Sequence, residues 1–284
     1  MEEIKMEEIK IISKDPLGDE VKSWEKSAEH LLDAKLPVVI RLDGRAFHTF
    51  TKNFHRPFDT VLHKAFIDTT KALIQESGAC YGYTQSDEIT LVLHPGVENG
   101  GQLIFGGRVQ KLVSCLAAFA SITFNSLLEK SGCAVFNGKK HATFDCRVFN
   151  APSMDDACKA VSWREQDASK NSVQAYARSF FSSNQLHGKS DYEQRNMIIA
   201  AEKHSWESLS ENQKYGTAIQ RRLVKKPFTT DELELLPEKH QARFAGAGAG
   251  ATFERNELFV LKSAAVRYCK NPVDVIFNGQ EPEL

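Results

Sequence analysis

Three acidic residues sit where short apolar runs end. Asp43 closes the run Val38-Val39-Ile40-Arg41-Leu42, and Asp87 and Glu88 follow Tyr83-Thr84-Gln85-Ser86 and precede Ile89-Thr90-Leu91. If the two runs are neighbouring strands, these carboxylates converge on one edge of a sheet. Carboxylates so close repel one another, and their pKa values rise unless a cation neutralises them. A hard divalent cation suits oxygen donors of this kind, because Mg²⁺ binds through one or two carboxylates plus substrate phosphates. Two such ions about 3.5–4 Å apart would make a phosphoryl-transfer centre. Taken alone, Asp-Gly after a strand and Ser-Asp-Glu at a hairpin tip are also ordinary turn chemistry.

The surrounding residues favour the chemical reading. Gly44 allows a ligand close to the backbone, and Arg45, Ala46, Phe47 and His48 lead toward a helix N-terminus, where main-chain N–H groups meet phosphate. Arg45, Lys52 and Arg56 bring cations to the same segment, and Arg108 and Lys111 follow the glycine pair Gly106-Gly107. Lys203, Lys214, Arg221, Arg222, Lys225 and Lys226 outnumber Glu207 and Glu211, and Asp231, Glu232, Glu234 and Glu238 follow them. With Trp206 and Tyr215 nearby, that basic stretch reads equally as a solvated face or as an RNA contact strip. There is no GxxxxGK[ST], HExxH or GxSxG, and GAGAG at 246–250 lacks the strand–turn–helix a dinucleotide loop requires.

The elements that position these residues follow from periodicity. Residues 16–35 carry Val21, Trp24, Ala28, Leu31 and Leu32 at helical spacing after Pro16. Residues 38–42 are β-branched and apolar on both faces, as in a central strand. Residues 59–77 predict a helix ended by Gly78, and ACYGYT with EITLVLH predicts a hairpin with Gln85-Ser86-Asp87 at its tip. Leu112–Leu128 predicts a buried helix, 134–149 a strand, and 155–181 and 191–203 helices, with a last strand in LFVLKSAAVRYC. The order β-α-β-β-α-β over 38–149 predicts a split βαβ, ferredoxin-like α+β fold.

Composition bounds the rest. The 284 residues are 42% hydrophobic and 26% charged with a net charge of −1, which excludes a disordered chain and a protein that coats nucleic acid by bulk charge. MEEIKMEEIK, a repeated pentapeptide, has no apolar core and is no signal peptide. The 112–128 run is interrupted by Ser114, Ser121, Thr123, Asn125 and Ser126 and is short for a bilayer, so no membrane is expected. Six singly spaced cysteines predict reduced core thiols in a cytoplasmic protein, with no structural zinc.

RLDGRAFHTFTKNFHRPFD followed by GYTQSDEITLVL resembles the tRNA-His guanylyltransferase family, specifically its Thg1-like members. FDCRVFNAPS at 144–153, SWREQD at 162–167 and KYGTAI at 214–219 extend the likeness over roughly residues 14–230. The resemblance implies a polymerase-palm catalytic domain over 14–230, between an N-terminal tail (1–13) and an extension (231–284) with no assigned role. It implies 3′→5′ addition of nucleotides to the 5′ end of tRNA, with two Mg²⁺ ions, ATP and GTP or another NTP, in a homotetramer. Metal ligands fall on Asp43, the Gly44 carbonyl and Asp87, and catalytic acids on Asp43, Asp87 and Glu88. Nucleotide contacts fall on Asp43, Gly44, Arg45, Ala46, Phe47, His48, Arg56, Ser86, Asp87, Arg108 and Lys111.

The eukaryotic HINNLYN stretch is replaced here by Asp167-Ala168-Ser169-Lys170-Asn171-Ser172-Val173-Gln174, with Ser169 for the histidine and Asn171 kept. That favours templated repair of 5′-truncated tRNA over non-templated guanosine addition. The competing readings are a palm-fold nucleotidyl cyclase or conventional polymerase, disfavoured by QSDE in place of a GGDEF-like turn, and a catalytically silent RNA-binding relative.

Overall fold

The computed structural model describes residues 15–96, 102–136, 138, 140–201, 205–229, 231–232, 235, 237, 252–261 and 266–283. In chain order the elements are α1 (Pro16–Ser27), β1 (Val38–Gly44), α2 (Phe47–Phe50), α3 (Thr60–Ser77), β2 (Tyr81–Gln85), β3 (Glu88–Leu93), α4 (Val109–Lys130) and β4 (Phe144–Asn150). Then come α5 (Met154–Ala177), α6 (Ser183–Leu186), α7 (Asp191–Ala200), α8 (Glu211–Tyr215), β5 (Thr217–Pro227), β6 (Thr252–Val260) and α9 (Pro272–Phe277). The strands form one antiparallel sheet in the order β4-β1-β3-β2-β5-β6. The predicted β-α-β-β-α-β unit and α+β class are what the chain adopts.

The two faces of the sheet divide the core. Ile40, Leu42, Ile89 and Leu91 point toward α3 and α4, where Phe47, Phe66, Phe124 and Phe144 interlock with ring centroids 4.6–6.0 Å apart. Val39, Tyr81, Tyr83 and Val92 point the other way, under α5 and α9. Local chemistry sets the helix ends: Asp59, inside the predicted helix, instead caps α3 by accepting the Val61 and Leu62 N–H groups, and Gly78 ends it as expected in the left-handed region (φ 73°).

Two predicted elements are trimmed and a third is less buried than expected. The 16–35 helix stops at Ser27: no residue of α1 is buried against the core, and Leu31 and Leu32 instead pair with Arg108 and the Gly107 carbonyl. The 134–149 strand begins only at Phe144, because Asn125 accepts from the Ala142 N–H and donates to its carbonyl, taking both groups a ladder needs. The helix predicted as buried, α4, is buried along one stripe only: Leu112, Leu116, Ala120, Phe124 and Leu128. It is long and apolar enough to cross a membrane by composition, but this stripe packs into the core while Ile122 stays 70% exposed. The cysteines are free, but only Cys80 and Cys158 are buried, and Cys115 is exposed on α4's outer face. The GAGAG segment and the MEEIK repeat lie outside the described residues.

Residues after 230 contribute to the same sheet and core. β6 pairs with β5 from Ile219↔Val260 to Pro227↔Thr252, and Val275, Ile276 and Phe277 of α9 are buried in the α5-side cluster. The buried Glu165 of α5 anchors this end, accepting the N–H groups of Val266 (3.1 Å) and Arg267 (2.7 Å). Burial pushes Glu165 up to about 8, against the pull of those two bonds and of Arg267. The folded chain therefore holds a proton that the unfolded chain releases above the ordinary carboxylate range, so stability falls as pH rises toward 8 and levels off above it. From about pH 5.5 to 7 the decline should approach 1.4 kcal/mol per pH unit, falling to about half that near pH 8. Urea denaturation across that range should show the slope in the wild type and lose it in Glu165→Gln; a slope that survives in the variant would assign it elsewhere.

Candidate active site

β1 and the β2–β3 hairpin bring the predicted acids together. In the sheet register Asp43 lies directly between Glu88 on β3 and Asp145 on β4, all three on the α5 side of the sheet. Asp87 occupies the hairpin turn after Ser86, which adopts a left-handed conformation (φ 50°), and its carbonyl accepts the Gly44 N–H at 3.0 Å. That bond ties the hairpin tip to the end of β1. Burial, then the charge of Asp43 and more weakly that of Glu88, pushes the Asp87 carboxyl above its usual range.

Glu88 differs from its two neighbours. Arg164 of α5 donates to both its carboxylate oxygens, at 3.0 and 2.9 Å, and Gln85 adds a bond at 3.2 Å. The Arg164 side chain is 7% exposed, pairs also with Asp167 at 3.1 Å, and stacks 3.6 Å from the centroid of the Trp163 ring. Glu88 is thus neutralised by the protein itself, whereas no ion pair serves Asp43 or Asp87 among the described residues. Among those residues no three acidic, histidine or cysteine groups close on one point. Two uncompensated carboxylates are nevertheless the protein donor set that Mg²⁺ takes when substrate phosphates complete its shell. Arg164 is the residue the sequence reading left without a role; its only local signal is Trp-Arg-x-x-Asp on a helix.

A cavity of about 670 Å³ opens beside Asp87, lined by His48, Arg56, Ser86 and Asp87 and, across it, by Asn171 and Arg178. Gly44 is required where it is: a Cβ there would lie 2.2 Å from the Phe47 ring. Phe47 itself is buried in the aromatic core, and Ala46 is left-handed (φ 53°), so this segment offers a ligand its backbone and not the Phe47 side chain. Arg45 is exposed at the same corner, its N–H bound to the Thr143 carbonyl.

Arg108 and Lys111 are not brought here. They start α4 at the opposite end of the sheet, where Arg108 bridges Leu31 and pairs with Glu29 at 3.5 Å. Phe144 and Gly44 meet the far part of α4 instead, through Ser121 and Phe124. A seven-residue strand separates the two ends by roughly 20 Å. The basic stretch is also divided. Trp206 is buried with its indole N–H on Ser172 Oγ (2.9 Å), so it is no stacking platform. Lys214, Arg222 and Lys226 pair with Glu211, Glu281 and Glu257, and Lys203 lies outside the described residues.

An antiparallel β-α-β-β-α-β sheet, two carboxylates at its edge without an ion pair among the described residues and a nucleotide-sized cavity beside Asp87 form the architecture of a palm-type nucleotidyltransferase. The family model for tRNAHis guanylyltransferase (Thg1) matches residues 18–152. A bacterial Thg1-like protein solved in complex with ATP superposes with a TM-score of 0.67 at 33% identity, covering 72% of this chain and 86% of that one. A bacterial Thg1-like protein in complex with GTP gives 0.63 at 27% identity, covering 86% and 89%. The tRNA(His) guanylyltransferase of Schizosaccharomyces pombe is 28% identical over 167 residues, 54% of this chain and 56% of the fungal enzyme. The chain belongs to the Thg1 family of tRNA-His guanylyltransferase-like nucleotidyltransferases.

Proposed function

We propose that this protein extends the 5′ end of tRNA in the 3′→5′ direction, repairing truncated ends under the direction of the opposing base. The observation that carries the reading is the pair Asp43 and Asp87, with no ion pair among the described residues, Asp87 lining a cavity of about 670 Å³. That ATP and GTP occupy the two bacterial relatives supports a site that accepts both nucleotides.

The reaction balances in three steps. The tRNA 5′-monophosphate attacks the α-phosphate of ATP, releasing pyrophosphate and leaving a 5′-adenylate. The 3′-hydroxyl of an incoming NTP then displaces AMP, forming the new phosphodiester. Hydrolysis removes pyrophosphate from the new 5′-triphosphate and leaves a monophosphate. Asp43, Asp87 and the Gly44 carbonyl would hold Mg²⁺. Two such ions supply a lowered pKa at the attacking hydroxyl and neutralise charge at the leaving phosphate. His48, Arg56 and Ser86 line the cavity where the phosphates would lie, and the first N–H groups of α2 have no partner within that helix. Arg164 holds Glu88, and through it the strand end that carries Asp87.

Ser169 in place of histidine and Asn171 on the cavity wall support templated repair. The homotetramer implied by the resemblance has uncovered apolar surface to use, on α1 (Leu17, Val21, Trp24) and α4 (Ile122). The test is addition to a tRNA lacking one templated 5′ nucleotide, beside intact tRNA-His, with Mg²⁺, ATP and each NTP. Incorporation dictated by the opposing base is expected. Guanosine added to intact tRNA-His whatever it faces would replace repair with non-templated addition, and nucleotide turnover without RNA would point to a cyclase.

A further inference from the structure

The α5 side of the sheet is only partly covered. α5 lies over Val39, Tyr83 and Val92, but on β4 the side chains facing that way, Asp145, Arg147 and Phe149, are all exposed. Register arranges this open strip into rows two residues apart, about 6.7 Å along the strands. The outermost row is Asp145–Asp43–Glu88, the next Arg147–Arg41–Thr90, and the third Phe149–Val39–Val92. Trp163 overhangs the middle row with 56% of its surface exposed, Arg41 lying 5.7 Å from its ring centroid.

The middle row is unusual. Arg41 and Arg147 are direct cross-strand partners on one face, and like charges so placed destabilise a sheet. Arg41 forms no ion pair among the described residues, and the contact of Arg147 with Asp145, at 3.6 Å between exposed groups, is weak. An anion laid across both guanidinium groups removes the repulsion. An exposed indole beside Arg41 and its cross-strand partner Arg147, next to the carboxylates that would hold Mg²⁺, is the combination that holds unstacked nucleotides.

We propose that this strip is the RNA platform: Arg41 and Arg147 grip backbone phosphates of the substrate strand and Trp163 stacks on one of its bases, leading the 5′ end to Asp43. The inference rests on the function proposed above and adds to it the path of the polynucleotide, on the opposite side of Asp43 from the helix α2. It also separates the two substrates. The triphosphate enters from the cavity beside Asp87, and the RNA lies on the open face of β1 and β4.

Binding alone tests it, without catalysis. Trp206 is buried, so in a Trp24→Phe background the exposed indole is Trp163. Titration with a 5′-phosphorylated single-stranded RNA and with a 5′-truncated tRNA should quench that fluorescence saturably, and Trp163→Phe should abolish the quench. Arg41→Gln and Arg147→Gln should each weaken RNA binding about tenfold and lower the salt slope of log affinity by about 0.7, while ATP affinity stays unchanged. Quenching that survives Trp163→Phe, or arginine variants with wild-type affinity and slope, would overturn the platform while leaving tRNA extension standing. Equal quenching by polyglutamate would make the face a docking site for acidic protein and overturn it too. A wild-type protein that binds no RNA would remove both proposals together.

Discussion

Asp87→Asn is expected to abolish nucleotide addition, by about a thousandfold or more, in a protein at least as stable as the wild type. The two effects have one cause. Asp87 is held partly buried beside Asp43, and its carboxyl is pushed up by that burial and by the neighbouring charge. Its folded pKa is raised, so the ionised group costs stability at every pH above that value, and the neutral amide removes the cost. The turn does not depend on the carboxylate, because the Gly44 N–H bonds to the Asp87 main-chain carbonyl. Mg²⁺ should raise the melting temperature of the wild type and leave that of Asp87→Asn unchanged, and RNA affinity should stay within a few-fold. Asp87→Ala should lose activity equally. Undiminished addition by either variant would remove Asp87 from the metal site.

Arg164→Ala should be the most destabilising single change near the site, costing roughly 2–4 kcal/mol in urea denaturation. Breaking a buried pair by removing one partner costs about 3–5 kcal/mol, reduced here because Glu88 keeps 18% of its side-chain exposure. The loss is of the Arg164 Nη1 bonds to both Glu88 oxygens, of the bond to Asp167 and of the stack on Trp163. Glu88→Gln in the Arg164→Met background should recover much of the stability, because no buried charge is then left without a partner. A cost below about 1 kcal/mol for Arg164→Ala would mean that solvent, not Arg164, compensates Glu88.

This ties the reading of Glu88 to its partner. Sequence alone grouped Glu88 with Asp43 and Asp87 as a third catalytic acid. The sheet does put it beside Asp43, but a guanidinium from α5, 76 positions later, already neutralises it. Those bonds tie the start of β3, next to Asp87, to α5. Arg108 and Lys111 lie away from the acids for the converse reason. Their glycine-rich approach is legible, but the direction in which α4 crosses the sheet carries them to its far end.

What the sequence determined by itself was local. Alternation in EITLVL, the β-branched run of β1, the Asp59 and Gly78 caps and the polar hairpin tip are decided within a turn or a strand of the chain, and they placed Asp43 and Asp87 at strand ends. Only the tertiary structure decided what those ends meet. β1 takes β3 and β4 as its two neighbours, and that pairing sets Asp43 against Glu88 and Arg41 against Arg147. Glu165 reaches Val266 across 101 positions, and β5 becomes a strand by pairing with β2 and β6. No local pattern encodes such contacts, because each is selected by the apolar surface and the hydrogen bonds that the rest of the fold leaves to be satisfied.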